Sequence, residues 1–422
     1  MVTGIDQNSE ILIIGAGCFG LSTAYHLLKR GFAHITVLDS ASELPAPEAA
    51  STDMNKVVRS AYSDMFYAQL ARDAIAAWKD AEEWGDIYHE SGVLVLLDRT
   101  DSYSDQAYNN EISLGARIEP LKDAAALRSV FPPDVETCSF EERSGYLNRD
   151  GGWANSSQGI VRMLQKVTTL GGAVVPGKHV VRLLKEVGKT IGVECSDGSQ
   201  YRANLVVLSA GAWTAAAFPD LHLGGMCKAT GQSVGKIQLT PEEAAVYRDN
   251  PVYLDFNDFY AFPPNDQNIV KCAIHARGYT HMQDTSDGAV SAPIFVDSNG
   301  KQQSRVPKLA LEELRESLRR AYPALGAKPW YTDSPDEDWV IGFHPTDPQV
   351  MLATAGSGHA YKFLPVIGRL VADAIQGILP ADLVQKFALD RMRNDVTESR
   401  SGSNVRELDL QQMCTEADFV PS

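Results

Sequence analysis

Residues 10–39 read EILIIGAGCFGLSTAYHLLKRGFAHITVLD, and few stretches restrict a fold more tightly. ILII is a short apolar strand. Gly15, Gly17 and Gly20 then supply G-x-G-x-x-G, and LSTAYHLLKRG has helical periodicity with Gly31 as its C-terminal stop. ITVLD is a second strand ending in Asp39. The first glycine permits a tight turn, the second lets the backbone approach a pyrophosphate, and the third lets helix and strand pack closely. The helix N-terminus faces the phosphates, and Asp39 stands where it can accept hydrogen bonds from a ribose. Strand, helix, second strand and terminal acid in that order predict a dinucleotide-binding βαβ unit. An acid at position 39 disfavours a 2′-phosphate and hence NADP. NAD and FAD both remain open on this stretch.

Bulk properties narrow the partners. The chain has 422 residues, enough for two or three domains. Its net charge of −16 argues against nucleic acid and anionic membrane surfaces, though not against a local basic site for a small anion. Six cysteines are scattered singly, with no CxxC or Cys/His metal spacing, so no metal site is expected. The N-terminus shows no signal peptide and the C-terminal DFVPS no peroxisomal or lipidation signal. No apolar run reaches the ~20 residues of a membrane span. The expectation is a cytoplasmic monomer with reduced thiols and a small-molecule substrate.

The remainder argues against a simple NAD dehydrogenase. GVLVLLD, the turn–helix–strand DGGWANSSQGIVRMLQKVTTLGGAVV, and the apolar strand LVVLSAGAW follow in order. Residues 225–330 are richer in β-type runs and Pro/Gly punctuation, before the helix KLALEELRESLRRAY. The chain then returns to VMLATAGSGH, another apolar strand ending in glycines. This pattern predicts an α/β fold: a Rossmann-like, discontinuous dinucleotide-binding domain with a second domain of mixed β-sheet inserted, which the family resemblance described next makes an FAD-binding domain and a substrate domain. The expected division gives residues 8–88, 150–222 and 335–385 to a discontinuous nucleotide domain. Residues 89–149 and 223–334 form the substrate domain, and 386–422 a polar tail.

Four anchors in order, GAGCFG, DGGW at 150–153, LSAGAW at 208–213 and GSGHAYKFLPVIG at 356–368, resemble the monomeric sarcosine oxidase family of flavin-dependent amine oxidases. The likeness extends to its fungal fructosyl amino acid oxidase (amadoriase) branch. The resemblance implies FAD bound along Gly15, Gly17, Cys18, Phe19, Gly20, Asp39 and Ser40. It adds Val181, Gly211, Gly356, Gly358, His359 and Lys362 to the cofactor contacts. In DMNKVVRSAY it places Lys56 beside the flavin and Arg59 on a substrate carboxylate, with Lys362 as the second carboxylate-binding cation. It assigns Lys271 to oxygen reduction, and Tyr260, His275 and Tyr331 to the substrate side. Taken alone, Lys362 and Arg59 read as solvated or structural, the tyrosines as packing aromatics and His275 as a core histidine. Lys271 stands out because NIVKCAIHA is an apolar, strand-like run in which a charge is costly unless used or paired.

The family implies oxidation of a secondary amine C–N bond to an imine, with O2 reduced to H2O2. Covalent members attach FAD through a cysteine where this chain has Pro329 in KPWYTD, which implies dissociable FAD. Amadoriases carry an acid where this chain has His275, and an arginine where KFALDRMRND places Asp390, with Arg391 and Arg393 nearby. Both departures favour an N-alkyl or cyclic amino acid as substrate. The alternatives are an amadoriase, a flavin dehydrogenase with a non-O2 acceptor, or a flavoprotein that only binds.

Overall fold

The structure is a computed structural model. It describes residues 4–97, 102–256, 259–274, 276–286, 288–294, 306–322, 338–391, 405–414 and 418, and the strand at 331–333. His275, Pro329 and Arg393 lie outside the described residues, as does the side chain of Tyr331.

One six-stranded sheet runs in the order Val340–His344, Asp347–Thr354, Leu205–Leu208, Ile11–Ile14, Ile35–Leu38, Ala173–Val175. Every pairing is parallel except the first. The continuous apolar runs ILII and LVVL are explained by burial on both faces. Ile11, Ile13, Leu205, Val207, Met351 and Ala353 face a helical layer that includes Cys18–Lys29 and Ile367–Ile375. Leu12, Ile14, Val206, Leu208, Val350 and Leu352 face the other way. There they meet Val180, Val193 and Cys195 of a three-stranded antiparallel sheet, Val180–Glu186, Lys189–Cys195 and Gln200–Arg202. Each such buried aliphatic side chain contributes roughly 1.5–3 kcal/mol. The predicted α/β class and Rossmann-like core are therefore observed.

The second large sheet has seven strands: Val234–Gln238, Ile269–Ile274, Phe259–Ala261, Val252–Asp255, Val93–Leu96, Gly145–Asn148, Ile118–Leu121. Its single parallel pairing, Val252–Asp255 on Val93–Leu96, joins two segments far apart in sequence. One face packs Leu94, Tyr253, Phe259 and Cys272 against Leu318, Ala321 and Tyr322, at the end of helix Lys308–Ala321. The other face presents Val95, Tyr146, Leu254, Phe256 and Phe262 toward Tyr103 and Trp153. Part of the polar C-terminal segment docks: Arg406–Glu407 pairs in parallel with Tyr279–Thr280, and Cys414 donates its backbone N–H to Val306.

A small three-stranded sheet joins the two bodies, with Gly152–Ala154 between Lys56–Val58 and Tyr88–His89. This is the DGGW motif. A Cβ at Gly152 would sit 1.9 Å from the carbonyl oxygen of His89, so only glycine allows the strands to close. Trp153 stacks on His89 at 3.9 Å. Just beyond, Asn155 caps helix Ser156–Thr169. The hydroxyls of Ser156 and Ser157 donate to the Asp53 carbonyl at 2.6 and 2.8 Å. The motif thus fixes the strand that carries Lys56.

The run VIGRLVADAIQGIL, from residue 366, reads as a helix in the sequence, and the α-helix covers Ile367–Ile375. In the approach to it, Ala355, Ser357 and Gly358 all take positive φ and a 3-10 turn covers Tyr361–Phe363. Proline at 365 has no N–H for a helical ladder, which separates the two segments.

Candidate active site

The three glycines of the first turn have three different surroundings. Gly15 has φ +108°, and a Cβ there would lie 2.3 Å from the carbonyl oxygen of Ser209 in LSAGAW. At Gly20 it would lie 1.9 Å from the carbonyl oxygen of Gly15. At Gly17 the nearest atom is Ser51 Oγ, at 3.4 Å. The protein itself fills the space at the outer two and leaves it open at the middle one, as pyrophosphate approach requires. Asp39 braces the turn, accepting from Ala16 N at 2.7 Å and Ala41 N at 2.9 Å. Ser209 Oγ, Thr52 Oγ1 and both amide atoms of Asn55 are buried without a hydrogen-bond partner. Buried polar groups normally find partners. An open middle glycine and unpartnered polar atoms on neighbouring segments fit an extended, polar cofactor such as FAD.

The other expected cofactor contacts are placed unevenly. Cys18 and Phe19 are buried at the start of helix Cys18–Lys29, where Cys18 Sγ lies 3.8 Å from the Ala360 carbonyl. Burial holds the Cys18 thiol far above its ordinary range. Gly211 opens a 3-10 turn at φ +54°. Gly356 and Gly358 belong to the strained turn, and His359 stacks on Trp339 at 5.4 Å. Ser40 is exposed. The Val181 side chain stands apart. Val181 is the extra residue of a β-bulge and is 44% exposed, while Val180 takes the buried position.

The segment 53–62 collects the cations. Lys271, on strand Ile269–Ile274, is fully buried, and its Nζ donates to Asp53 Oδ2 and, at 2.7 Å, to the Asn55 carbonyl. Lys56 Nζ binds the same Asp53 oxygen at 2.8 Å. Two ammonium groups therefore share one carboxylate. Burial pushes Lys271 down to about 7, with Lys56 adding to this and Asp53 opposing it. Burial would lift Asp53, but Lys271 and Lys56 hold it far below the usual carboxylate range. Lys271 also lies 5.1 Å from the Phe262 ring centroid, and Tyr260 meets Phe262 edge-on at 6.0 Å. Cys272 faces the opposite side of the sheet, as strand alternation predicts.

Arg59 and Lys362 converge on Tyr62. The Arg59 guanidinium carbon sits 4.5 Å above the Tyr62 ring and 4.8 Å from Phe256. Lys362 Nζ donates to the Tyr62 hydroxyl at 2.8 Å and to the His359 carbonyl at 2.9 Å. Both cations are buried, at 7% and 6% exposure. The lysine in GSGHAYKFLPVIG is thus no solvated helix-start residue. Its backbone carbonyl is fixed as well, accepting from Trp78 Nε1 at 2.8 Å. Asp390 is exposed, and the Arg391 guanidinium donates to the carbonyls of Asp338, Trp339 and Ala388.

Sequence reasoning did not single out Asp53, Asn55, Tyr62 or Trp339. The first three lie inside the quoted run DMNKVVRSAY, where an acid in a basic stretch was the available signal. Trp339 is fully buried among Phe19, Tyr67, His359, Phe363 and Phe387. Among the described residues, no helix is long and apolar enough to cross a membrane.

Comparison with known proteins agrees with this geometry. L-saccharopine oxidase of Schizosaccharomyces pombe is 30% identical over 88% of this chain and 91% of its own. Monomeric sarcosine oxidase of Bacillus sp. is 25% identical over 90% and 96%. The crystal structure of fructosamine oxidase (Amadoriase II) from Aspergillus fumigatus superposes with a TM-score of 0.86, at 27% identity, covering 98% of both chains. The resemblance to sarcosine oxidases and amadoriases read from the four motifs is therefore borne out. The family described as FAD dependent oxidoreductase matches residues 10–374, and the chain belongs to it.

Proposed function

We propose that the protein is an FAD-dependent amine oxidase that acts on the C–N bond of an N-alkyl or cyclic secondary amino acid and reduces O2 to H2O2. The observation that carries this reading is the convergence of two buried cations, Arg59 and Lys362, on Tyr62. Two cations fixed by a rigid aromatic frame suit a carboxylate, and a carboxylate held at two points fixes the orientation of the neighbouring amine. Relatives named as oxidases of L-saccharopine, N-methyl-L-tryptophan and sarcosine support the same chemistry, since each name is that of a secondary amine bearing a carboxylate.

Bound FAD supplies the two-electron acceptor. Gly15–Gly20, Asp39, Ser209, Thr52 and Asn55 would hold it. Arg59 and Lys362 bind the carboxylate, and their charge favours the neutral form of the bound amine. Tyr260, with His275 and Tyr331 by family resemblance, lines the substrate side. Lys271, kept charged by Asp53, stabilises negative charge arising on oxygen. FAD is held without a covalent link, because proline at 329 offers no nucleophile. Acid precipitation tests that point: yellow colour belongs in the supernatant, and yellow retained by the pellet refutes it.

A panel of secondary amino acids screened for peroxide under air tests the activity. The free acids are turned over, and their amides and esters are poor substrates. Equal oxidation of esters would remove the carboxylate reading. Turnover only with an added acceptor would make the enzyme a dehydrogenase.

A further inference from the structure

Tyr62 is buried, and three rings hold it in place: Tyr67 and His359 with centroids at 5.6 Å, and Phe363 at 6.0 Å. Its backbone is held as well. Asn110 Nδ2, on helix Ser102–Ser113, donates to the carbonyls of Tyr62 at 3.0 Å and Ser63 at 2.8 Å. A side chain fixed in this way imposes its position on whatever it touches.

Tyr62 touches both cations, through different atoms. Its ring meets the Arg59 guanidinium carbon at 4.5 Å, and Phe256 meets the same carbon at 4.8 Å. Its hydroxyl lies 2.8 Å from Lys362 Nζ and 3.2 Å from His359 Nδ1. An ammonium can only donate, so the Tyr62 oxygen accepts from Lys362. The hydroxyl hydrogen is then directed to His359 Nδ1, which assigns His359 the neutral ring with its proton on Nε2. The backbone carbonyl of His359 takes a second Lys362 N–H at 2.9 Å. Two of the three N–H directions of Lys362 are thereby set by Tyr62 and His359, and the tetrahedral ammonium leaves the third no choice.

We propose that Tyr62 is a positioning residue of the anion site with two separable parts: the hydroxyl, aligned by His359, aims the Lys362 ammonium, and the ring holds the Arg59 guanidinium. The proposal rests on the reading of Arg59 and Lys362 as carboxylate anchors. Tyr62 acts on the substrate through these two cations and not by touching it, because its one hydroxyl hydrogen is committed to His359. Removing either part leaves both charges in the site but lets one of them wander. Affinity for a carboxylate then falls, and affinity for a neutral analogue does not.

The test is a set of double-variant cycles on FAD-loaded protein at one fixed pH, with acetate as the anion and acetamide as its neutral isostere, read from the flavin absorbance change. Tyr62→Phe keeps the ring and removes the hydroxyl. It should weaken acetate by roughly tenfold and leave acetamide unchanged. In a Lys362→Ala background the same substitution should cost less than about twofold, and in an Arg59→Ala background it should keep its full effect. Tyr62→Leu removes the ring as well. Its further loss, roughly two- to fivefold, should vanish in the Arg59→Ala background. A Tyr62→Phe loss as large without Lys362 as with it, equal weakening of acetate and acetamide, or no loss at all overturns the proposal. Nitrogen NMR of the wild-type histidines is an independent check should the variants fold poorly. His359 Nδ1 must appear as an unprotonated acceptor, and a proton on Nδ1 refutes the chain from Lys362 through Tyr62. Acetamide bound by wild type as well as acetate removes the carboxylate reading, and the positioning role with it. Acetate preference that depends on Arg59 and Lys362 but is indifferent to Tyr62→Phe removes the positioning role alone.

Discussion

The glycine turn at 15–20 and the cation cluster at 53–62 lie on the same connected segment of chain, yet different physics builds them. In the turn, backbone meets backbone. Gly15 abuts Ser209 and Gly20 abuts Gly15, so a side chain at either meets an atom that cannot rotate away. In the cluster, side chain meets side chain. Asp53 gathers Lys56 and Lys271, and Tyr62 gathers Arg59 and Lys362, from positions more than 200 residues apart. Steric necessity writes itself into residue type at fixed spacing. Long-range pairing leaves no such trace.

The sharpest way to break this comparison lies within the turn itself. Gly20→Val and Gly15→Val should fail to yield folded protein, because overlap with a fixed carbonyl exceeds the usual overpacking cost of ~1–3 kcal/mol. Gly17→Val meets only Ser51 Oγ at 3.4 Å and should fold. It should nonetheless be purified colourless, since its side chain occupies the place of the pyrophosphate. Circular dichroism and flavin absorbance together separate the outcomes. A yellow Gly17→Val protein would mean that the open space at Gly17 serves no ligand.

In the cluster the expected cost is electrostatic. Asp53→Asn leaves Lys271 and Lys56 facing a neutral amide, and breaking such a buried pairing costs roughly 3–5 kcal/mol. Wild-type Asp53 is held well below the ordinary carboxylate range. Its stabilisation is thus fully present above the unfolded pKa and is lost as pH falls through the folded one. Adding Lys271→Met to Asp53→Asn should recover part of the loss in urea denaturation, and strict additivity would show the two residues to be uncoupled. Lys271→Met by itself should slow the reaction with O2 far more than bleaching of the flavin by substrate.

These contrasts explain what could be read in advance. The Rossmann-like core was legible because two-sided burial demands continuous apolar strands, and ILII and LVVL are such strands. Lys271 was legible for the converse reason, a charge inside an apolar strand. Lys362 and Arg59 were reached only through family resemblance. Taken as single residues they look like surface cations, and their partners are Tyr62, whose backbone carbonyl accepts from Asn110, and for Arg59 also Phe256. Helix Ser102–Ser113, with the sequence SYSDQAYNNEIS, has the composition of a solvated helix. Nothing in it marks Asn110 and Glu111 as buried, because their partners lie on other segments. Asp53 escaped attention for the same reason.

A smaller effect is expected for the carboxylate anchors. Arg59→Ala and Lys362→Ala should each weaken binding of a carboxylate substrate by roughly 1.5–3 kcal/mol, the scale of a charge-assisted contact. If the two act through one anion, the double variant should lose less than the sum. Titration of wild type and variants with the same carboxylate measures this directly, and full additivity would place the cations on separate groups.

The smallest effect tests the seam between the two regions. His26, on the helix that follows the glycine turn, contacts the Pro365 carbonyl at 2.9 Å through Nε2, three residues beyond Lys362. That contact needs the ring nitrogen as a donor, which the neutral imidazole satisfies. Burial lowers His26 to about 4, and Arg30, Arg369 and Lys29 push the same way, against the Pro365 hydrogen bond. An unfolded histidine takes up its proton near pH 6.5 and the folded one does so only near 4, so the unfolded state binds more protons in between. Stability must therefore fall as pH drops through that window. Between about pH 6.5 and about pH 5 the loss should be about 1–2 kcal/mol, since one pKa unit is worth about 1.4 kcal/mol. His26→Gln keeps a donor toward Pro365 and removes the proton uptake. Urea denaturation at both pH values should show the variant losing less stability than wild type on acidification. An equal loss would move the acid sensitivity off this seam and onto other titrating groups, though not Asp53, which stays ionised in both states across this window.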